Sequence, residues 1–186
     1  MTHYLETFRY ENSQFHNLDY HCQRVVRTIG NTAVWQQIEA LLTTTNLTQY
    51  HRIVRFTIEY SAVGIESWRA MEYSVKNITR LIPIEANIDY HLKYADRSCF
   101  EPLRKGLCAN EEPLIVQNGL VTDTTFANVV FQDTDNQLYT PRLPLLKGTR
   151  RAKLLNDGVI IERDISPLDL PHFTKFYLIN AMRGIQ

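Results

Sequence analysis

Apolar and polar positions alternate most clearly in two stretches. From His51 to Tyr60, Val54, Phe56, Ile58 and Tyr60 fall on one face, and Ile53, Arg55, Thr57 and Glu59 on the other. That period of two predicts a half-buried strand. Ile88, Tyr90, Leu92 and Tyr94 alternate in the same way with Asp89, His91 and Lys93, and predict a second one. Residues 4 to 10 read as a further strand. Helical spacing takes over at Leu18 to Thr28, where Leu18, His21, Cys22 and Val25 share a face. A second helix follows through Val34, Trp35, Ile38 and Leu41-Leu42, with Asn31 or Thr32 as its cap. A threonine-rich loop, 43–48, separates it from the 51–60 strand. A turn at Gly64 then leads to a partner strand, Trp68 to Val75, so that the two form a hairpin.

The second half is denser in short strands. Candidates are Leu114 to Gln117, Val121, Ala127 to Gln132, Gln137 to Thr140, Val159 to Arg163 and Lys175 to Ala181. A short helix is expected over Ser98 to Lys105, interrupted by or starting at Pro102. Thr149 to Asn156 reads as a helix closed by Asp157-Gly158, and Asp169 to Phe173 as a helical turn. The fold class is α+β, in two small domains, 1–84 and 85–186.

Composition narrows the function classes. The 186 residues suffice for a real core, and 44% hydrophobic with 22% charged is ordinary for a globular protein. Zero net charge points to no nucleic acid and no membrane surface as partner. No apolar run has the ~20 residues of a membrane helix. The first residues lack the basic start and apolar stretch of a secretory leader. The three cysteines form no Cys-x-x-Cys pair and the six histidines do not cluster, so no metal site is expected. A cytoplasmic protein is the expectation. P-loop, Gly-x-Gly-x-x-Gly, Gly-x-Ser-x-Gly and His-Glu-x-x-His motifs are absent from the sequence.

What remains is a lysine, an acid and a glycine turn in a fixed order. Lys93 lies in Leu92-Lys93-Tyr94-Ala95-Asp96-Arg97, on the polar face of its predicted strand. Asp123 follows in Gly119-Leu120-Val121-Thr122-Asp123, with Asn128 five residues on. Gly148-Thr149-Arg150 opens the predicted 149–156 helix, where free N–H groups favour phosphate. Upstream, Glu6-Thr7 precedes His21-Cys22-Gln23-Arg24, and near the end stands Asn180-Ala181. Together these resemble the class IV pyridoxal-phosphate-dependent aminotransferase family, closest to its 4-amino-4-deoxychorismate lyase branch.

The resemblance implies the D-amino-acid aminotransferase-like fold, with the cofactor cleft between the two domains and a shortened N-terminus. It implies pyridoxal 5'-phosphate as cofactor, a small-molecule substrate and a homodimer. Lys93 would form the Schiff base and act as the catalytic base. Asp123 would keep the pyridine nitrogen protonated, with Asn128 beside it. Arg24, Gly148, Thr149 and Arg150 would hold the phosphate, and Asn180 and Arg97 would meet the substrate. Lyase activity would yield 4-aminobenzoate and pyruvate for folate synthesis. A transaminase of branched-chain or D-amino acids and a non-catalytic cofactor-binding relative stay open beside it. The chain departs from the family in three places: Asp123 stands for a glutamate, Thr149-Arg150 for isoleucine-threonine, and Glu59-Tyr60 for arginine-glycine. Arg52, Arg55 and Arg69 join Arg97 as candidate partners of a substrate carboxylate.

Overall fold

The computed structural model describes residues 1–185 and divides into two compact units, residues 1–74 with 92–96, and residues 75–91 with 97–186. The first unit opens with strands β1 (Tyr4–Glu11) and β2 (Gln14–Phe15), then helices α1 (Leu18–Ile29) and α2 (Ala33–Thr44), then strands β3 (Val54–Ser61) and β4 (Gly64–Glu72). They make one antiparallel sheet in the order β2-β1-β3-β4. The face read from the 51–60 alternation is the inner one: Val54, Phe56, Ile58 and Tyr60 are fully buried with Phe8 of β1. Val25, Val34, Trp35 and Ile38 of the two helices pack onto them. Each such side chain removed from water contributes about 1.5–3 kcal/mol. The helix ends follow local chemistry. Asn31 Oδ1 accepts the Ala33 N–H at 3.0 Å ahead of α2. Gly30, at φ 85°, closes α1 with its N–H on Val26 O.

The second unit is a seven-stranded sheet. Its strands are β5 (Arg80–Glu85), β6 (Glu111–Gln117), β7 (Leu120–Thr124), β8 (Asn128–Gln132), β9 (Leu138–Pro141), β10 (Ile161–Arg163) and β11 (Lys175–Ile179). The order is β10-β9-β8-β7-β6-β5, with β11 paired to β8. Helix α3 (Thr149–Asn156) lies between β9 and β10 in the chain. Its apolar centre is Leu114, Val116, Val121, Val129, Phe131, Ile165 and Leu178. The β6–β7 connection is the two-residue turn Asn118-Gly119, both at positive φ, the geometry of the commonest hairpin turns.

Three expectations are corrected, and one strand is added. Residues 88–94 are not a strand. Ile88 and Tyr90 are buried as the alternation requires. The backbone, however, makes only an isolated bridge, Tyr4 with Tyr94. The cause is the edge available to it. β2 occupies the outer edge of β1 at Tyr10 and Glu11. Residues 93–95 take the other end of β1, through Leu5 N–H to Lys93 O at 2.8 Å and Ala95 N–H to His3 O at 2.9 Å. The boundary expected at 84/85 falls at 74/75, because β5 forms a parallel ladder with β6 from Arg80–Glu111 to Glu85–Val116. β5 itself went unforeseen because Pro83 interrupts its run, and proline is at home on the edge strand that β5 is. The helix expected over 98–105 is two 3-10 turns, Ser98–Phe100 and Pro102–Arg104, since Pro102 lacks the N–H a continuing helix needs.

Candidate functional site

In the second unit the carboxylate and the glycine turn come together. Asp123 ends the inner part of β7 and stands directly opposite Asn128, the first residue of β8. The Asn128 amide nitrogen donates to Asp123 Oδ1 at 2.7 Å and to Leu146 O at 2.8 Å. The Leu146 N–H donates to Asp123 Oδ2 at 2.9 Å. The loop before α3 is thereby laced to the acid. Gly148 has a mechanical reason to be glycine, because a Cβ there would collide with Asn128 Oδ1. Asn128 is thus a brace between the acid and the helix start.

Asp123 is buried, and burial pushes its carboxyl up to about 6. The Leu146 N–H, the Asn128 amide and the Arg151 guanidinium pull it down without cancelling that effect. A buried acid so poised asks for a cation beside it, which a protonated ring nitrogen supplies. At the start of α3, the Thr149 hydroxyl is buried with no protein partner. It sits beside N–H groups of a helix's first turn, which are orphaned in any helix. An acceptor-rich group such as a phosphate fits there.

Arg150 is half-buried, while Arg151, not singled out by the sequence reading, is inside. Arg151 Nη2 donates to Pro141 O at 2.8 Å and to Glu162 Oε1 at 2.7 Å. The signal for it was the second arginine of Gly-Thr-Arg-Arg, one position further round the helix. Arg97 directs Nη2 to Thr125 O at 2.6 Å and lies over the Phe100 ring. Asn180 caps the end of β11, accepting the Met182 N–H at 2.9 Å and donating to Phe126 O at 3.3 Å. These bonds give Arg97 and Asn180 a clear part in holding backbone.

In the first unit, Arg24 and Lys93 keep different company. Arg24 is buried and turns Nε to Glu6 Oε2 at 3.1 Å and Nη2 to Glu6 Oε1. His21, one helical turn before it, places Nδ1 2.5 Å from the same Oε1. Burial pushes the Glu6 carboxyl up, but the Arg24 charge and His21 outweigh that and hold it at about 2. Burial drives His21 below its ordinary range despite Glu6, and the nearby Arg24 and Lys93 charges drive it in the same direction. The imidazole is therefore neutral, with its Nδ1–H on Glu6. The sequence carried a signal for this trio: Glu6 lies on the same inward face of β1 as Phe8, and His21 and Arg24 are three apart on one helix face. Lys93 is half-buried on the return segment, with its carbonyl held by β1.

In the second unit a buried acid stands opposite an asparagine beside a helix start with an orphaned hydroxyl, and the comparisons identify the fold. The family model described as amino-transferase class IV matches residues 107–186. A solved structure from Haemophilus somnus, provisionally named a 4-amino-4-deoxychorismate lyase, is 31% identical. It has a TM-score of 0.84 over 100% of this chain and 98% of its own. One from Mesorhizobium loti, provisionally named an amino-acid aminotransferase, is 23% identical, with a TM-score of 0.85 over 99% and 97%. An uncharacterized protein of Haemophilus influenzae is 35% identical over 97% of both chains. This chain belongs to the class IV aminotransferase family, whose fold is that of pyridoxal-phosphate-dependent enzymes. Among the described residues no helix is long and apolar enough to cross a membrane, and no group of three or more His, Cys, Asp or Glu is placed to hold a metal ion.

Proposed function

We propose that the chain binds pyridoxal 5'-phosphate and cleaves 4-amino-4-deoxychorismate to 4-aminobenzoate and pyruvate. The cofactor half of this reading is carried by Asp123, a buried acid held by Asn128 and Leu146 beside a helix start with an orphaned threonine hydroxyl. The lyase half is supported by the 31%-identical relative's name and by Asn180-Ala181, which follows the lyase pattern. The reading includes a homodimeric assembly and a cytoplasmic location, as the resemblance implies.

When bound, pyridoxal phosphate supplies an electron sink for the carbon that carries the substrate's amino nitrogen. The residues set up that chemistry. Lys93 would hold the cofactor through its amine, and its Nζ would take the proton from the substrate carbon beside the nitrogen and return a proton as pyruvate leaves. Asp123 would meet the ring nitrogen and keep its proton there. Asn128 and the Leu146 N–H fix the direction of that carboxylate. The Gly148–Thr149 helix start, the Thr149 hydroxyl and Arg150 would receive the phosphate, a role the resemblance gives to Arg24 as well.

Activity is tested by supplying aminodeoxychorismate to the cofactor-loaded protein and measuring 4-aminobenzoate and pyruvate in equal amounts. The second reading, a transaminase, is favoured by the Mesorhizobium loti likeness. Turnover of an amino acid with 2-oxoglutarate, and none of aminodeoxychorismate, would replace the lyase by it.

Two variants probe the cofactor contacts. Thr149→Val removes a hydroxyl that has no protein partner, so the cofactor-free protein should melt unchanged. Affinity for pyridoxal phosphate should fall about tenfold to a hundredfold, the worth of one hydrogen bond to a charged group. Affinity for pyridoxal, which lacks the phosphate, should not move, and equal losses for both ligands would remove the hydroxyl from the phosphate cup. Asp123→Asn should retain the visible absorbance of the lysine-bound cofactor and lose turnover by about 10²–10³, the scale of one charge-stabilising group.

The pH dependence of Asp123 has a definite sign. Its folded pKa of about 6 lies above the ordinary aspartate value of 3.8, so between those values the folded state holds the extra proton. The cofactor-free protein therefore gains stability from this group as pH falls from 7 through 6 towards 4, by about 2–3 kcal/mol. Denaturation midpoints across that range check it, and Asp123→Asn should flatten the profile.

A further inference from the structure

We propose that Glu112 is a positioning residue for the substrate side of the site: its buried carboxylate fixes the 124–127 turn, and the turn holds the Arg97 guanidinium ready for a carboxylate of the substrate. The inference rests on the reading of Arg97 as a substrate residue and goes beyond it by naming what places that arginine.

The observations all lie within the second unit. The 124–127 turn joins Asp123 to Asn128, which stand opposite one another on β7 and β8. It is closed on itself, with the Thr124 N–H on Ala127 O at 3.0 Å and the Ala127 N–H on Thr124 Oγ1 at 3.1 Å. Glu112, a fully buried residue of β6, grips its tip. One carboxylate oxygen, Oε1, accepts the Thr125 N–H at 3.2 Å and the Thr125 hydroxyl. The other, Oε2, accepts Arg104 Nη1. A buried charge is tolerated when it is paired and hydrogen-bonded, so the turn cannot shift without leaving this one short of partners.

On the same turn, two side chains from distant parts of the chain take consecutive carbonyls. Arg97 Nη2 donates to Thr125 O at 2.6 Å, and Asn180 Nδ2 to Phe126 O at 3.3 Å. These are the two residues that the resemblance assigns to the substrate. Arg97 is half-buried over the Phe100 ring, 5.4 Å from its centroid, and pairs with no carboxylate among the described residues. A guanidinium so placed is short of a counter-ion, and a carboxylate is the planar partner that its fork of donors matches. One turn thus carries Asp123 and its brace at the base and Arg97 at the tip, and Glu112 keeps the two in register.

Three variants test this. Glu112→Gln sets an amide N–H group among partners that donate there. Thr125→Val keeps the shape and the N–H and removes one bond to Glu112, a milder change should the first variant fail to fold. Arg97→Met removes the guanidinium. In cofactor-free protein, phenylglyoxal modification of Arg97 is followed by mass spectrometry, with exposed Arg142 as reference. Glu112→Gln should speed it about tenfold, the worth of one hydrogen bond to a charged group, and Thr125→Val should speed it by less. In the loaded enzyme, Glu112→Gln should raise KM for aminodeoxychorismate about tenfold and leave kcat within about twofold, as a loss of substrate binding does. Added to Arg97→Met, it should raise KM no further, because the arginine it places is gone.

Unchanged Arg97 reactivity in both Glu112→Gln and Thr125→Val overturns the proposal, and so does a fall in kcat with KM unmoved. A wild-type KM in Arg97→Met would take Arg97 away from the substrate, and the proposal with it, while the cofactor reading stands. A wild-type protein without turnover would sink the proposed function, and the modification rates would still decide whether Glu112 places Arg97.

Discussion

Lys93→Ala is expected to abolish the visible absorbance band that the wild-type protein develops with pyridoxal phosphate, and all turnover with it. The band requires an amine condensed with the cofactor aldehyde, and no other side-chain type can replace a lysine in that bond. The variant should nevertheless fold. Lys93 lies on a segment without regular structure, half-buried, and its tie to β1 is made by its own carbonyl, which alanine keeps. Melting temperature should thus stay near the wild-type value while the band disappears. Phosphate binding should persist, because Thr149 and the α3 start are untouched. Soluble pyridoxal phosphate should still bind, without covalent attachment, and dialyse away. A Lys93→Ala protein that keeps the band would assign the bond to another lysine and dissolve the proposed site. The absence of a band in the wild-type protein would favour a relative that binds no cofactor.

The second large effect is on stability. Glu6→Gln should destabilise the first unit by about 3–5 kcal/mol, because it leaves the buried Arg24 charge without a counter-ion. On a chain of this size the melting temperature should fall by on the order of 10 °C. The acid profile should change too. The Glu6 pKa drops from the ordinary glutamate value of 4.5 to about 2 on folding. Its contribution is therefore complete above about 4.5 and is lost as pH falls towards 2. Wild type and Glu6→Gln should converge in stability on acidification across that window. Equal acid sensitivity in the two proteins would show that Glu6 does not carry the charge balance of Arg24. Arg24→Met in the Glu6→Gln background should restore part of the loss, since burying neither charge is cheaper than burying one.

Much of this was legible in the chain, for reasons tied to particular residues. Helix α3 is bounded as its glycines imply, Gly148 before it and Gly158 after. The inner face of β3 follows from the alternation Val54, Phe56, Ile58, Tyr60. The order Lys93, Asp123, Gly148 identified the family before any coordinate was known. Where the reading failed, the deciding information was elsewhere in the chain. Residues 88–94 have the pattern of a strand, yet β2 already occupies part of the β1 edge they reach. β5 has a proline that argues against a strand, yet a place at the sheet edge removes the objection.

The sequence by itself determined the period of each element, the caps and turns that bound it, and the residue types the chemistry requires, because these depend on neighbours within a few positions. Only the tertiary structure decided which of those residues are inside and what each one faces. It placed Asn128 as a brace on Asp123, buried Arg151 beside the half-buried Arg150, and left the Thr149 hydroxyl without a partner. It also gathered Glu6, His21 and Arg24 from two elements into one buried charge cluster. Burial and pairing are sums over groups distant in the chain, and they move Asp123, Glu6 and His21 off their ordinary titration ranges.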